Sequence, residues 1–335
     1  MKASTRTVSR NQALVWLTVF LVAVFGISVF LGRYPTPGFM PLERLSSDEM
    51  ARSLVLNLRL PRLLTAVLLG MSLAASGAVF QMIFGNPLVE PGFLGVSQGA
   101  SFGAAFSIIF LTNSAWAVQI SAALFAFLGL GFSYLLARRV RYGGWVLRLV
   151  LAGIAVSALF SAGVGVLKYI ADPFSQLPEI TFWLLGGLTS LTWPQFWAIL
   201  PAVLLGLLVA YQMRWRINLL SLNDETAFSL GAAPGRERTL LLFAAVIATS
   251  AVISVAGMVG WVGLIIPHIA RRLFGADARY GLPASMLIGA IFAILCDDLA
   301  RVPFPGEIPL GILTSLIGAA IFMILMMRQM TGRER

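Results

Sequence analysis

The residues of this sequence with the widest chemical reach are two adjacent carboxylates, Asp297 and Asp298, with Arg301 just beyond them. They close an apolar stretch, where an ionised group is costly and is a functional candidate by default. Asp297 and Arg301 stand four residues apart, so on a helix they share a face and can pair. A structural ion pair is one reading of them; a proton-relay carboxylate, as in a proton-coupled secondary transporter, is the other. His268 is the sole histidine and Cys296 the sole cysteine, which rules out a His/Cys metal cluster and an internal disulfide. Beside Pro267, His268 suits a freed carbonyl or an aqueous face at a helix end better than catalysis. No nucleophile–base pair stands out for an enzyme. The two lysines, Lys2 and Lys168, follow no glycine loop, so the Gly-x4-Gly-Lys-Ser/Thr phosphate cradle is missing. Any ATP-driven step would need a separate subunit, which would hold the ATP and Mg; the chain itself is expected to bind no cofactor or metal.

The elements that must position these groups are set by composition. Hydrophobic residues make up 59% of the 335-residue chain and charged residues 11%, with a mean hydropathy of +0.89. A soluble domain carries roughly 25% charged residues. The fitting solvent is a bilayer, where backbone groups must be satisfied internally by helices or closed barrels. Continuous apolar runs, without the two-residue alternation of barrel strands, predict an all-α membrane protein. Turn residues and charges divide it into about ten spans: 14–31, 62–82, 93–111, 116–137, 147–170, 193–213, 239–256, 258–269, 280–299 and 308–327. The eighth is short and interrupted by Gly260, Gly263 and Pro267. The first apolar run has no clear cleavage site after it and reads as a retained helix.

The formal net charge of +10 reads as span-flanking residues on the cytoplasmic side, not as a nucleic-acid surface. With both termini cytoplasmic, 17 basic residues lie inside, Lys2, Arg6, Arg328, Arg333 and Arg335 among them, against 7 outside. An internal echo is visible: Gly77 and Pro87, and Gly257 and Pro267, each lie ten residues apart. Duplicated halves with broken helices are a frequent transporter plan; chance recurrence is the competing explanation. Gly99 and Gly103, and the series Gly257, Gly260 and Gly263, suit close helix packing.

The polar segment 218–231 is unlike its surroundings. Ser221 or Asn223 can cap a short helix, Asp224 and Glu225 suit its first turn, and Gly231 suits its end. Leu222, Ala227 and Leu230 would leave an apolar patch on it. A membrane-surface helix would carry a basic polar face, which is lacking. Docking into a partner's groove fits better.

Several motifs then resemble one family. Arg59-Leu-Pro-Arg62, Ser76-Gly77-x3-Gln81 and Asn86-Pro87-Leu88-x2-Pro91-x2-Leu94-Gly95 are similar to the FecCD-type permeases of ABC type II importers. So are Gly263-Leu-Ile-Ile-Pro267-His268-Ile-Ala-Arg271, Asp297-x3-Arg301 and Glu307-x-Pro309-x-Gly311. The resemblance runs over 59–335 of what reads as a single transmembrane domain, 1–335.

That resemblance implies a permease dimer, of two identical or sister subunits, in the bacterial inner membrane, with cytoplasmic ABC ATPases and a periplasmic or lipid-anchored substrate-binding protein. The cargo would be a ferric siderophore first, with haem, cobalamin or an oxyanion as alternatives. Ser221, Leu222, Asp224, Glu225, Ala227, Leu230 and Gly231, within a coupling segment 218–235, would meet the ATPase. Arg59, Arg62 and Arg301 would meet acidic residues of the binding protein. Gly153, Ser157, Ser161, Gly163 and Gly165 would wall the path, though core packing explains them nearly as well. Asn86, Pro87, Pro267, His268 and Asp297 are expected to be structural. The sequence departs from the family at Gly318-Ala319-Ala320-Ile321-Phe322, where a proline is usual, and at Asp298, where an apolar residue is.

Overall fold

The computed structural model describes residues 9–141, 143–189 and 191–331, with side-chain surroundings up to 327. Lys2, Arg6, Arg333 and Arg335, and the surroundings of Arg328, therefore lie outside the description. Thirteen helices organise it: α1 Arg10–Phe30, α2 Leu60–Ile83, α3 Val96–Phe106, α4 Ala115–Arg139, α5 Trp145–Ile170, α6 Gln176–Leu185 and α7 Trp193–Gln212. They are followed by α8 Arg214–Leu220, α9 Asp224–Ser229, α10 Pro234–Ala256, α11 Val262–Phe274, α12 Ala278–Arg301 and α13 Leu310–Thr331. Between α1 and α2 the chain makes a two-residue hairpin pairing Leu31 with Phe39 and Gly32 with Gly38. Short turns at Arg44–Ser47 and Glu49–Ser53 follow, and a π-helical turn at Leu54–Arg59 leads directly into α2.

Each of the ten expected spans contains a helix, but among the described residues only eight helices are long and apolar enough to cross a membrane. The other two, Val96–Leu111 and α11, are cut short at their starts. Before α3, Gly95 takes a left-handed φ of +79° that ends the turn Pro91–Leu94. Before α11, Trp261 stands at φ +71°. A 13-residue helix is about 20 Å long against a hydrocarbon core of ~30 Å. Both interruptions face the same interior, which leaves room for cavities there.

α2 is the central post, buried along almost all of Pro61–Ile83. Lipid tails are as apolar as leucine, so helices gather by close packing at small residues. A Cβ on Gly70 would lie 2.1 Å from the Gly289 carbonyl oxygen of α12, and one on Gly77 1.8 Å from the Gly263 oxygen of α11. α3 meets α4 in the same way: Gly99 abuts the Phe125 carbonyl, Gly103 abuts the Ser121 carbonyl, and the Ser121 hydroxyl donates to the Gly103 oxygen at 2.6 Å. The outer helices keep apolar residues exposed, as with Trp16, Phe20 and Val22 on α1 and Leu204 and Leu208 on α7, a surface suited to lipid.

Gly77→Ala should therefore destabilise the detergent-solubilised chain by about 1–3 kcal/mol through overpacking. Gly131→Ala, where a Cβ meets nothing within 4 Å, should stay within about 0.5 kcal/mol. Thermal unfolding of the two variants side by side tests this, and equal melting would refute the close-approach account.

Candidate functional site: two cavities between a charge cluster and a capped hairpin

Because α2 and α12 run antiparallel, the start of α2 meets the end of α12. There Arg62 Nε donates to Asp297 Oδ1 and Oδ2 at 2.9 and 3.1 Å, and its Nη1 reaches Glu307 Oε1 and Oε2 at 2.9 and 2.8 Å. Arg301 pairs with Asp297 at 3.4 Å and with Asp298 at 2.5 Å, and donates to the Ser28 and Leu31 carbonyls of 2.7 and 2.8 Å. The Ser28 hydroxyl donates to Asp298 Oδ2 at 2.5 Å. Arg59 donates to the Val29 carbonyl at 3.0 Å. The cluster thus staples α1, α2, α12 and the α12–α13 connection together.

The expected Asp297–Arg301 pair is present, and each acid is held by a guanidinium. Among the described residues, neither lines any of the cavities described below, and nothing in this geometry supports the proton-relay reading. Arg59, Arg62 and Arg301 do come together at one end, but they are not a free outer surface: they are 8, 9 and 7% exposed. The cost of leaving Asp297 without its donors turns Arg62 and Arg301 inward, and the Val29 carbonyl holds Arg59. What opens beside them is a cavity of about 340 Å³, lined by all three, by Arg33 and by Glu307.

At the opposite end the segment 221–231 folds as a tight hairpin around α9. Asn223, not Ser221, is the cap, accepting from the Thr226 N–H at 2.9 Å, while Ser221 donates back to the Asn218 carbonyl at 2.7 Å. Gly231 takes φ +80°. Asp224 accepts from Arg238 at 2.6 Å, and Arg238 also donates to the Leu220 carbonyl at 3.0 Å, tying α9 to α10. Ala227 is buried beneath the hairpin, so it is not part of an exposed patch. Leu222, Leu230 and Glu225 are exposed, and Phe228, which the sequence did not single out, is 74% exposed.

A cavity of about 500 Å³ adjoins this hairpin, lined by Gln81, Asn86, Pro87, Asn218, Ser221 and Arg271, among others. Asn86 accepts from the Leu88 N–H at 2.9 Å in a turn opened by Gly85 at φ +61°. The Arg271 guanidinium donates to Gln81. Asp277 caps α12, and its hydrogen bonds from Arg279 and Asn218 hold it well below the usual carboxylate range. Pro267 lies buried inside α11 and His268 is half-buried beside it.

Between the two ends lie two adjoining cavities, of about 370 and 880 Å³, that share Glu90, Phe93, Met258 and Gly260. Of the expected path residues only Ser157 lines one. Gly153 is packed on the Phe93 carbonyl and Gly163 on the Phe102 ring, so both are packing glycines. Ser161 and Gly165 lie exposed with Ile154 and Ala158 along one face of α5. The sequence reading missed Glu90. Its signal was available: it is the one charged residue between Arg62 and Arg138.

The fold and the sequence are both similar to those of known proteins. Residues 20–328 match the model of the FecCD transport family. The chain belongs to the FecCD transport family. It is 38% identical over 331 residues to the molybdate import system permease protein of Haemophilus influenzae, covering 97% of this chain and 98% of the relative. A probable iron chelatin transport system permease protein of Helicobacter pylori is 40% identical over 292 residues, covering 87% and 86%. A solved metal-chelate type ABC transporter in an inward-facing conformation superposes with a TM-score of 0.88 at 37% identity, over 95% of this chain and 99% of that one. This FecCD chain is accordingly a multi-pass membrane permease of the ABC-importer class.

Removing one member of the buried pair leaves the other uncompensated. Arg62→Ala should cost about 3–5 kcal/mol, and Arg62→Ala with Asp297→Ala should cost less than the two single changes added together. A double-mutant cycle by thermal unfolding in detergent checks this; simple additivity would show that the pair does not interact.

Proposed function

We propose that this FecCD permease moves an iron chelate, a ferric siderophore foremost, across the inner membrane by alternating access, with no chemistry on the cargo. The observation that carries the reading is the pair of adjoining cavities between a charge cluster at one end and a rigidly capped, apolar-tipped hairpin at the other. A bulky chelate needs such room, and walls that are apolar or weakly polar hold it loosely. The iron-chelate cargo is supported by the full-length likeness to relatives named for that role. Haem, cobalamin and an oxyanion such as molybdate are the competing cargoes.

The hairpin 221–231 is the seat for a separate ATPase subunit, which binds the ATP and Mg. Leu222, Phe228 and Leu230 present apolar contacts there, and Asp224 and Arg238 keep the hairpin from yielding. The cavity lined by Arg33, Arg59, Arg62 and Arg301 receives carboxylates of a periplasmic or lipid-anchored binding protein, since opposite charge guides docking and register. A second permease copy, or a sister subunit, covers the exposed α5 face of Ile154, Ala158, Ser161 and Gly165 and completes the path. The hairpin end carries Arg214, Arg216, Arg236, Arg271 and Arg272 and faces the cytoplasm, as positive-inside placement requires; both termini lie on that side.

Affinity purification of the full chain from native membranes should bring down a Walker-motif ATPase. Phe228→Asp with Leu230→Asp should reduce that recovery by at least tenfold and abolish ATP-dependent uptake, with the chain still folded in the membrane. Normal uptake in this variant would remove the hairpin as the coupling element. Arg33→Glu should weaken binding-protein capture several-fold at low salt and leave ATPase recovery unchanged; equal capture would count against the docking cavity.

A further inference from the structure

We propose that Glu90 is the charge-selecting residue of the translocation cavity, favouring cationic over anionic groups on whatever enters it. This rests on the reading of the two adjoining cavities as the path. Glu90 lies in the connection between α2 and α3, at the head of the turn Pro91–Leu94, whose backbone it does not cap with its side chain. It lines both cavities, and among the described residues it is the one ionisable group that does so. The walls contributed by α2, α3, α5, α6, α10, α11 and α13 are otherwise apolar or carry hydroxyl, amide or indole groups.

The carboxylate lies between two glycines: its Oε1 is 3.5 Å from the position of a Cβ on Gly92 and its Oε2 3.5 Å from that on Gly263, ordinary contact distances. No hydrogen bond or ion pair joins the Glu90 carboxylate to a described residue, in contrast to Asp297, Asp298 and Glu307, which are bound to arginines. Its charge is left to act on the cavity. Rings of acidic side chains set cation preference in pores by the same means.

Burial in this apolar setting pushes the Glu90 carboxyl up to about 7. The acid is therefore charged above that pH and neutral below it, so selection should be strong in alkaline medium and fade as the pH falls.

The test needs no knowledge of the cargo. Cys296, the sole cysteine, is buried, so a Cys296→Ala background lets a single introduced thiol report on the cavity. Ser97→Cys and Ser315→Cys place one on each cavity wall. Full-length chain in membranes is treated with cationic and with anionic methanethiosulfonate reagents at pH 8, with and without Glu90→Gln. A unit charge a few ångströms away in a partly screened cavity should favour the cationic reagent by about tenfold. Glu90→Gln should erase that preference, and so should pH 6 in the Glu90 chain but not further in the Gln variant. Labelling with an unchanged reagent ratio in Glu90→Gln overturns charge selection and leaves the path standing. Thiols at both positions that react with neither reagent, while a control Asn113→Cys in the exposed loop before α4 does, overturn the path reading itself.

Discussion

Everything in this molecule hangs on how closely backbones can approach inside a solvent that supplies no hydrophobic force between helices. α2 touches α12 at Gly70 and Gly289 and touches α11 at Gly77 and Gly263, at separations where a Cβ would overlap a carbonyl. Those contacts bring the start of α2 against the end of α12 and the end of α2 against α11. The Arg62–Asp297 pair and the Gln81–Arg271 contact are then consequences of position, one at each end of the same post. Small residues in the middle permit polar chemistry at the ends.

At the junction of α2 and α12 each acid is paired with an arginine. Asp297, Asp298 and Glu307 face Arg62 and Arg301, with Ser28 and backbone carbonyls completing their shells. Such an assembly holds a geometry without adding much net stability, because desolvation offsets the attraction. Its use is to fix the connection bearing Glu307 beside the arginine-lined cavity. Glu90 stands apart as a charge left unmatched where two helices are interrupted, and broken helices at a site between repeats are a known transporter plan.

The fold was legible in the sequence because lipid imposes a strict length rule, and the ten apolar runs coincide with ten helices. The two short ones were half visible: Gly260, Gly263 and Pro267 signalled a break in the eighth run, while Pro91, Gly92 and Gly95, which hold back the third until Val96, were not read as one. Asn223, Asp224 and Gly231 could be read as cap, first turn and stop because capping chemistry is local. Burial was not legible. Arg59, Arg62 and Arg301 look like surface cations, and only their antiparallel placement against Asp297 and the backbone of α1 shows why they turn inward. Ala227 looked like part of a patch because a six-residue helix gives too little periodicity to tell one face from another. On α5, the alternation of glycine and serine could not separate Ser157, on a cavity wall, from Gly163, pressed on Phe102.

Arg238 fastens the hairpin to the first turns of α10, and Thr249 and Ile253 of that same helix lie on the wall of the smaller cavity. The 23 residues of α10 form a rod about 35 Å long, pinned midway where Thr249 donates to Ser76 at 2.9 Å and Ser76 to the Ala245 carbonyl at 3.0 Å. Hairpin and cavity wall are thus stations on one unbroken helix, so neither can be displaced along the rod without carrying the other.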